Sequence, residues 1–181
     1  MIRSIQLSTK RQLQLQLRTL ATYASNPQIY IHKVNPLNYK FSLSKSPDAI
    51  EIGSSPTADP EPSTFTDNPK FKELLNSTIY SKIQDDFTFV MEAGVNANSF
   101  MPIYDLRETP NYARVPATEN IFGYVRVDSK GKIVPESFQA NGMYRLINGR
   151  CGLCKFSDFL HEQLQTQSEM QVVKQNVNAS T

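Results

Sequence analysis

Hydrophobic positions along this chain fall into short periodic stretches, and the period changes from place to place. Phe71, Leu74, Leu75, Ile79 and Ile83 recur at helical spacing, and Asn68-Pro69 in front of them supplies a capping side chain and a proline for the first helical position. The spacing predicts an amphipathic helix of about four turns. Phe87-Thr88-Phe89-Val90-Met91, ending at Gly94, is rich in β-prone residues and predicts a strand. Residues 95–118 contain Pro102, Pro110 and Pro116 and predict irregular chain, anchored by Phe100, Ile103, Tyr104 and Leu106. Two β-prone runs, Ile121–Val127 and Lys132–Val134, flank Asp128-Ser129-Lys130-Gly131 and predict a hairpin whose second arm Pro135 cuts short. Ser157 then opens a second helix with Phe156, Phe159, Leu160 and Leu164 on one side. Beyond Gln165 the apolar period stops.

These elements predict a small α+β domain over residues 68–165, in which an N-terminal and a C-terminal helix pack on a short antiparallel sheet containing the hairpin. From Ser42 to Pro69 the chain is dense in Ser, Thr, Asp and Pro with few large apolar residues. That composition predicts an extended, largely disordered linker over residues 21–67, and the Gln-rich residues 166–181 read as a disordered tail.

The first 20 residues follow another logic. On a helical wheel Arg3, Lys10, Arg11 and Arg18 fall within an arc of about 100°, while Ile2, Ile5, Leu13, Leu17 and Leu20 gather opposite, with Leu7 and Leu15 breaking the pattern. The first acidic residue of the chain is Asp48. A basic, acid-free, amphipathic leader is the composition of a mitochondrial presequence, and its positive charges are drawn by a negative-inside potential worth ~2.3 kcal/mol per charge per 100 mV. Arg18-Thr19-Leu20-Ala21 resembles the pattern at which matrix processing peptidases cut, which places the mature start between Leu20 and Ala21. The import and processing machinery are therefore expected partners, and the matrix is the favoured location.

Composition changes that picture in one respect. The 181 residues carry a formal charge of +2, with 19 Lys and Arg against 17 Asp and Glu. Without residues 1–20 the balance is 15 against 17, so the basic excess is a property of the leader. Within the remainder, residues 48–106 hold 10 acids and 3 bases, and residues 107–155 hold 8 bases and 4 acids. The second segment interleaves Tyr112, Tyr124 and Tyr144 and suits a protein-recognition surface; as a footprint for nucleic acid it is weak. Internal pairing between the two segments is the alternative. No stretch approaches the ~20 apolar residues that span a bilayer.

Cys151-Gly152-Leu153-Cys154 is the one arrangement with an obvious chemical option. At the start of a helix, thiols at this spacing would feel the positive end of its dipole and could exchange disulfides. Only 27 residues follow Cys154, which excludes a complete thioredoxin domain in the usual order. His161 lies two helical turns beyond Cys154 and would be a third metal ligand, with a partner or a carboxylate completing the set. Two small thiols without a reactive role are the third reading, and all three stand at this point. The chain has no phosphate loop, dinucleotide fingerprint, His-Glu-x-x-His run or Gly-x-Ser-x-Gly elbow, so neither a catalytic set nor a cofactor is expected.

Tyr112-Ala113-Arg114-Val115-Pro116-Ala117-Thr118-Glu119 and, later, Gly142-Met143-Tyr144-Arg145-Leu146 carry a resemblance. Over residues 110–165, about a third of the chain, the sequence resembles a small fungal family of mitochondrial proteins needed for respiratory growth. One member of that family is the factor required to degrade unstable forms of cytochrome c. Leu146 stands where the family carries proline, and the two stretches lie farther apart here. The resemblance implies a non-enzymatic accessory factor in respiratory-chain maintenance, assembly or quality control, with a respiratory-chain component as partner. It marks Arg114, Pro116, Thr118, Glu119, Tyr144 and Arg145 as partner-binding residues. Two other functions compete: a thiol-redox or metal-handling protein working through Cys151 and Cys154, and a peripheral subunit of the mitochondrial ribosome using its basic segment.

Overall fold

The computed structural model describes residues 20–108 and 115–178, with side chains described as far as residue 170. The fold is α+β, built from antiparallel sheets and three α-helices on one continuous core. Strands β1 (Leu20–Thr22), β2 (Tyr30–Asn35), β3 (Asn38–Ser42), β4 (Glu51–Ser55) and β5 (Thr66–Asp67) form a five-stranded antiparallel meander in chain order. Helix α1 (Pro69–Lys82) and the short helix α2 (Phe87–Ala93) follow. A second meander joins β6 (Phe100–Tyr104), β7 (Ile121–Arg126) and β8 (Gln139–Ala140). A two-stranded ribbon, β9 (Ile147–Asn148) with β10 (Gly152–Leu153), leads into helix α3 (Asp158–Asn178).

Helix α1 forms where its pattern places it. The Asn68 side chain accepts a hydrogen bond from the Lys70 N–H at 3.1 Å, Pro69 occupies the first turn, and Phe71, Leu74, Leu75, Thr78 and Ile79 are buried. Phe156, just ahead of α3, joins the layers: its ring lies 6.3 Å from that of Phe71 on α1 and stacks at 5.7 Å on Phe122 of β7. Burial of each such ring is worth roughly 1.5–3 kcal/mol. The hairpin also forms. The Asp128 carboxylate accepts from the N–H groups of Lys130 and Lys132, Gly131 takes φ +73°, and Val127 pairs with Ile133. Those N–H groups, Lys132 first, hold the Asp128 carboxyl below its ordinary range. After Pro135 the return arm resumes pairing only at Gln139 and Ala140.

Four expectations need correction. Residues 21–67 are not a linker, because they supply the five-stranded sheet, and Ile29, Phe41, Leu43 and Ile52 are fully buried. The domain therefore includes β1 to β5 and does not begin at residue 68. Residues 87–91 are helical rather than extended: Asp86 caps the turn by accepting from the Thr88 N–H at 3.0 Å. Phe89 and Ala93 face the core, and Phe87 and Met91 are exposed. Residues 100–104, expected to be irregular, are strand β6, with Met101 and Ile103 buried and Phe100 facing out. Finally, α3 continues through the expected tail to Asn178. Ser168 is buried, the Thr78 hydroxyl donates to Gln167 at 3.3 Å, and the Ser44 hydroxyl donates to Glu169. The leader residues 1–19 lie outside the described residues. Among those described, no helix is long and apolar enough to cross a membrane.

Candidate functional site

The residues that organise one end of the second meander are an acid and a base two positions apart. Asp105 directly follows β6, and its side chain is fully buried; the Arg107 side chain is 2% exposed. Burying a carboxylate is costly unless its lone pairs are all met. Here the Arg107 and Lys155 N–H groups each donate to Oδ1 at 2.9 Å, while the Tyr144 hydroxyl (2.9 Å) and Arg107 Nε (3.3 Å) reach Oδ2. Burial pushes the Asp105 carboxyl above its ordinary range, and the Arg107 guanidinium and these hydrogen bonds pull the other way.

The Arg107 fork fastens separate segments together. Nη1 donates to the carbonyls of Leu146 (3.1 Å), just before β9, and Gly152 (3.0 Å), in β10. Nη2 donates to the Arg145 carbonyl, and Nε donates to the Asn120 side chain at 3.2 Å. Asn120 also accepts from Asn148 Nδ2 at 3.1 Å and donates to Glu108 at 3.0 Å. Asn148 Oδ1 in turn accepts from the Arg150 and Cys151 N–H groups at 3.2 and 2.7 Å, which closes the ribbon turn. A planar guanidinium with five donors can serve this many acceptors at once, which an ammonium cannot.

Upon this clasp sits an open groove of about 600 Å³. It is lined by Asp67 and Lys72, by Ala117, Thr118 and Glu119, and by Gly142, Met143, Tyr144 and Arg145. Thr118 and Glu119 belong to a 3-10 turn, Thr118–Asn120. The Glu119 carbonyl accepts from the Arg145 N–H at 3.1 Å, and Asn141 Nδ2 donates to the Thr118 and Ile121 carbonyls at 2.8 and 2.9 Å, so the two walls are tied together. Tyr144 packs edge-on against Phe122 at 4.7 Å, with the Arg107 guanidinium 5.8 Å from its ring centre. Met143 is exposed at the groove lip, Glu119 and Arg145 reach solvent, and Lys72 pairs with Asp67.

Of the residues singled out from the sequence, Thr118, Glu119, Tyr144 and Arg145 thus meet in one groove, and Pro116 stands just before its 3-10 turn. Arg114 lies outside the described residues. Asp105, Arg107, Asn120 and Asn148, which hold the groove in shape, are the part that sequence reasoning missed as a unit. Their one local signal is the acid-x-base spelling Asp105-Leu106-Arg107.

The cysteines occupy a different setting from the one imagined for them. Cys151 is half-buried in the ribbon turn and Cys154 is fully buried, four residues ahead of the first residue of α3, so neither starts a helix. Burial, and next to it the Asp105 carboxylate, pushes the Cys154 thiol up, away from the reactive thiolate. Both cysteines are free, and His161 lies in the first turns of α3. Among the described residues no three His, Cys, Asp or Glu side chains are grouped to hold a metal ion. Leu20 and Ala21, the expected cut position, lie in β1 opposite His32 and Ile31 of β2.

No family model, curated protein or solved structure matches this chain.

Proposed function

We propose that this chain is a mitochondrial accessory factor, without an enzymatic role of its own, that binds a respiratory-chain component through the groove over the Asp105–Arg107 clasp. The single observation behind this reading is that four residues chosen from two sequence stretches, Thr118, Glu119, Tyr144 and Arg145, line one groove whose walls are tied by hydrogen bonds. A rim that carries Glu119 and Arg145 at the surface and the part-exposed Asp67–Lys72 pair, beside an exposed methionine, suits a polypeptide partner better than a small substrate. The basic leader supports delivery to mitochondria, with the matrix as the favoured destination.

The thiol reading has less support, because the Cys154 thiol is fully buried and shifted away from its thiolate. A ribosomal role would have to draw on Arg126, Lys130, Lys132, Arg145 and Lys155, which are exposed, since Arg107 is internal and Arg150 pairs with Glu108. The test is a strain lacking the gene. Lost growth on a non-fermentable carbon source with altered cytochrome spectra is the expected result, and normal growth with normal spectra would refute the reading. A fusion of residues 1–30 to a fluorescent protein should collect in mitochondria, and diffuse cytosolic signal would refute the address.

A further inference from the structure

A helix on the surface of a globular domain ordinarily turns a polar face to water. Helix α2 does not. Phe89 and Ala93 face the core, while Phe87, Val90 and Met91, spaced i, i+3 and i+4 on the opposite side, fall within an arc of about 100°. These three side chains are exposed by 74%, 40% and 63%. The turn continues past the last residue of α2: Gly94 keeps a helical φ of −57°, and the Val95 and Asn96 N–H groups donate to the Glu92 and Ala93 carbonyls at 3.2 and 3.0 Å. Val95, one turn beyond Met91, extends the row and is 88% exposed. An apolar row of this kind at the surface of a folded domain marks a contact site.

Charge says what the row can meet. From Phe87 to Tyr104 the one charged side chain is Glu92, and its carboxylate accepts from the Tyr104 hydroxyl. Asp86 is buried and accepts from Ser157, so the nearest exposed acid along the chain is Asp85. Cations, in contrast, are brought in by the hairpin. A Cβ at Gly131 would lie 3.0 Å from the Gly94 Cα, and the Asn98 N–H donates to the Asp128 carbonyl at 3.1 Å, so the hairpin tip rests on the end of the row. Lys130 and Lys132, on either side of Gly131, are exposed, and the Asp128 carboxylate between the two arms is turned onto their N–H groups at 2.8 and 2.9 Å. None of these residues lines the groove over the clasp.

An apolar row bordered by lysines, with its own carboxylate engaged, complements a plane of negative phosphates over hydrocarbon. It does not complement itself: in a two-fold pair of this chain, the lysines of one copy would find no free carboxylate on the row of the other. We propose that the outer face of α2 and the hairpin tip form a docking surface for an anionic phospholipid bilayer. Phe87, Val90, Met91 and Val95 enter the boundary between headgroups and acyl chains, and the ammonium groups of Lys130 and Lys132 stay at the level of the phosphates. The row lies on the bilayer and does not span it.

The test is flotation of the full-length chain with lipid vesicles. In every protein compared, Arg3, Lys10, Arg11 and Arg18 are replaced by glutamine, so that the leader adds no charge attraction of its own. Phosphatidylcholine vesicles are set against vesicles in which phosphatidylglycerol makes up about a third of the lipid. The expected result is at least tenfold more protein bound to the anionic vesicles. Phe87→Ser with Met91→Ser should lower that binding at least tenfold, and Lys130→Gln with Lys132→Gln should bring it down to the phosphatidylcholine level. All four side chains are exposed, so the urea midpoint should not move. The chain contains no tryptophan, and Val95→Trp therefore gives a signal from the row alone: a blue shift on anionic vesicles and quenching by lipids brominated in their acyl chains. Absence of binding, equal binding with and without the Phe87 and Met91 changes, or an introduced indole that stays unquenched overturns the proposal. A dimer in sedimentation equilibrium that the same double variant abolishes, without vesicle binding, assigns the row to a second copy and overturns it as well.

Discussion

Replacing Arg107 with alanine removes the one side chain that reaches Asp105, Asn120, Leu146, Arg145 and Gly152 together. Two costs follow. Asp105 is left buried with no compensating cation, and breaking a buried pair by deleting one partner costs roughly 3–5 kcal/mol. The carbonyls of Leu146 and Gly152 lose a donor as well, though water entering the vacated space returns part of that loss. The net is about 4 kcal/mol, a large share of the roughly 5–15 kcal/mol that stabilises a domain. At a urea dependence of about 2 kcal/mol per M, the unfolding midpoint should fall by about 2 M. Arg107→Lys keeps the charge but not the fork, and should fall between wild type and alanine. Removing Asp105 as well should cost less than the sum of the single changes, since the second deletion relieves an orphaned charge. Equilibrium urea unfolding followed by circular dichroism measures all five proteins, the Asp105 single variant included. A midpoint shift under about 0.5 M for Arg107→Ala would mean that the pair carries no stability, and the clasp argument would be wrong.

Alkaline pH should loosen the same region. Burial raises the Cys154 thiol above its ordinary 9.0 and the Tyr144 hydroxyl above its ordinary 10.0, so the folded chain keeps protons that the unfolded chain gives up. Stability is thus full below about pH 9 and falls as pH rises, by up to about 1.4 kcal/mol per pH unit for each group. Cys154→Ala should flatten the slope of unfolding free energy between pH 9 and 11 whatever it does to the baseline, and an unchanged slope would contradict the assignment. At the other end of the core, Asp86 caps α2 and accepts from the Ser157 hydroxyl, which itself accepts from the Leu160 N–H at 3.1 Å and so caps α3. Asp86→Ala should cost about 2–3 kcal/mol by thermal or urea unfolding, since it loses one cap and strands a buried hydroxyl. A loss under about 0.5 kcal/mol would remove the shared-cap reading.

The elements legible in the sequence are those whose signals are local. Asn68-Pro69 and the spacing of Phe71 to Ile79 define α1, Asp128 to Gly131 defines a turn, and Ser157 marks the start of α3. Strands β2 to β5 are built from partners: β4 reads Glu-Ile-Gly-Ser-Ser, with Ile52 as its single large apolar residue, and gains its place from the neighbours on either side. Its Ser-rich surroundings carry the composition of a linker, and composition says nothing about pairing. Residues 87–91 look β-prone because apolar residues fall on both faces of α2, and what decides for helix is the Asp86 cap held from Ser157, 71 residues away. Just past Gln165 the apolar spacing of α3 gives out because the contacts there are polar, from Thr78 to Gln167 and from Ser44 to Glu169. For the site, two short stretches pointed to the groove walls. The buried polar residues beneath them leave no period to read, because each is placed by a distant carbonyl or amide.

The groove itself is best tested with Arg145→Glu and Glu119→Lys, two exposed side chains whose reversal leaves the clasp untouched and should change unfolding free energy by less than about 0.5 kcal/mol. The direct measurement is cross-linking and affinity purification of tagged wild-type and Arg145→Glu protein from respiring mitochondria, with the recovered proteins quantified. The account predicts that a respiratory-chain component recovered with wild type falls at least tenfold with Arg145→Glu while the variant accumulates normally. Equal recovery from both, or recovery only of ribosomal proteins, would contradict it.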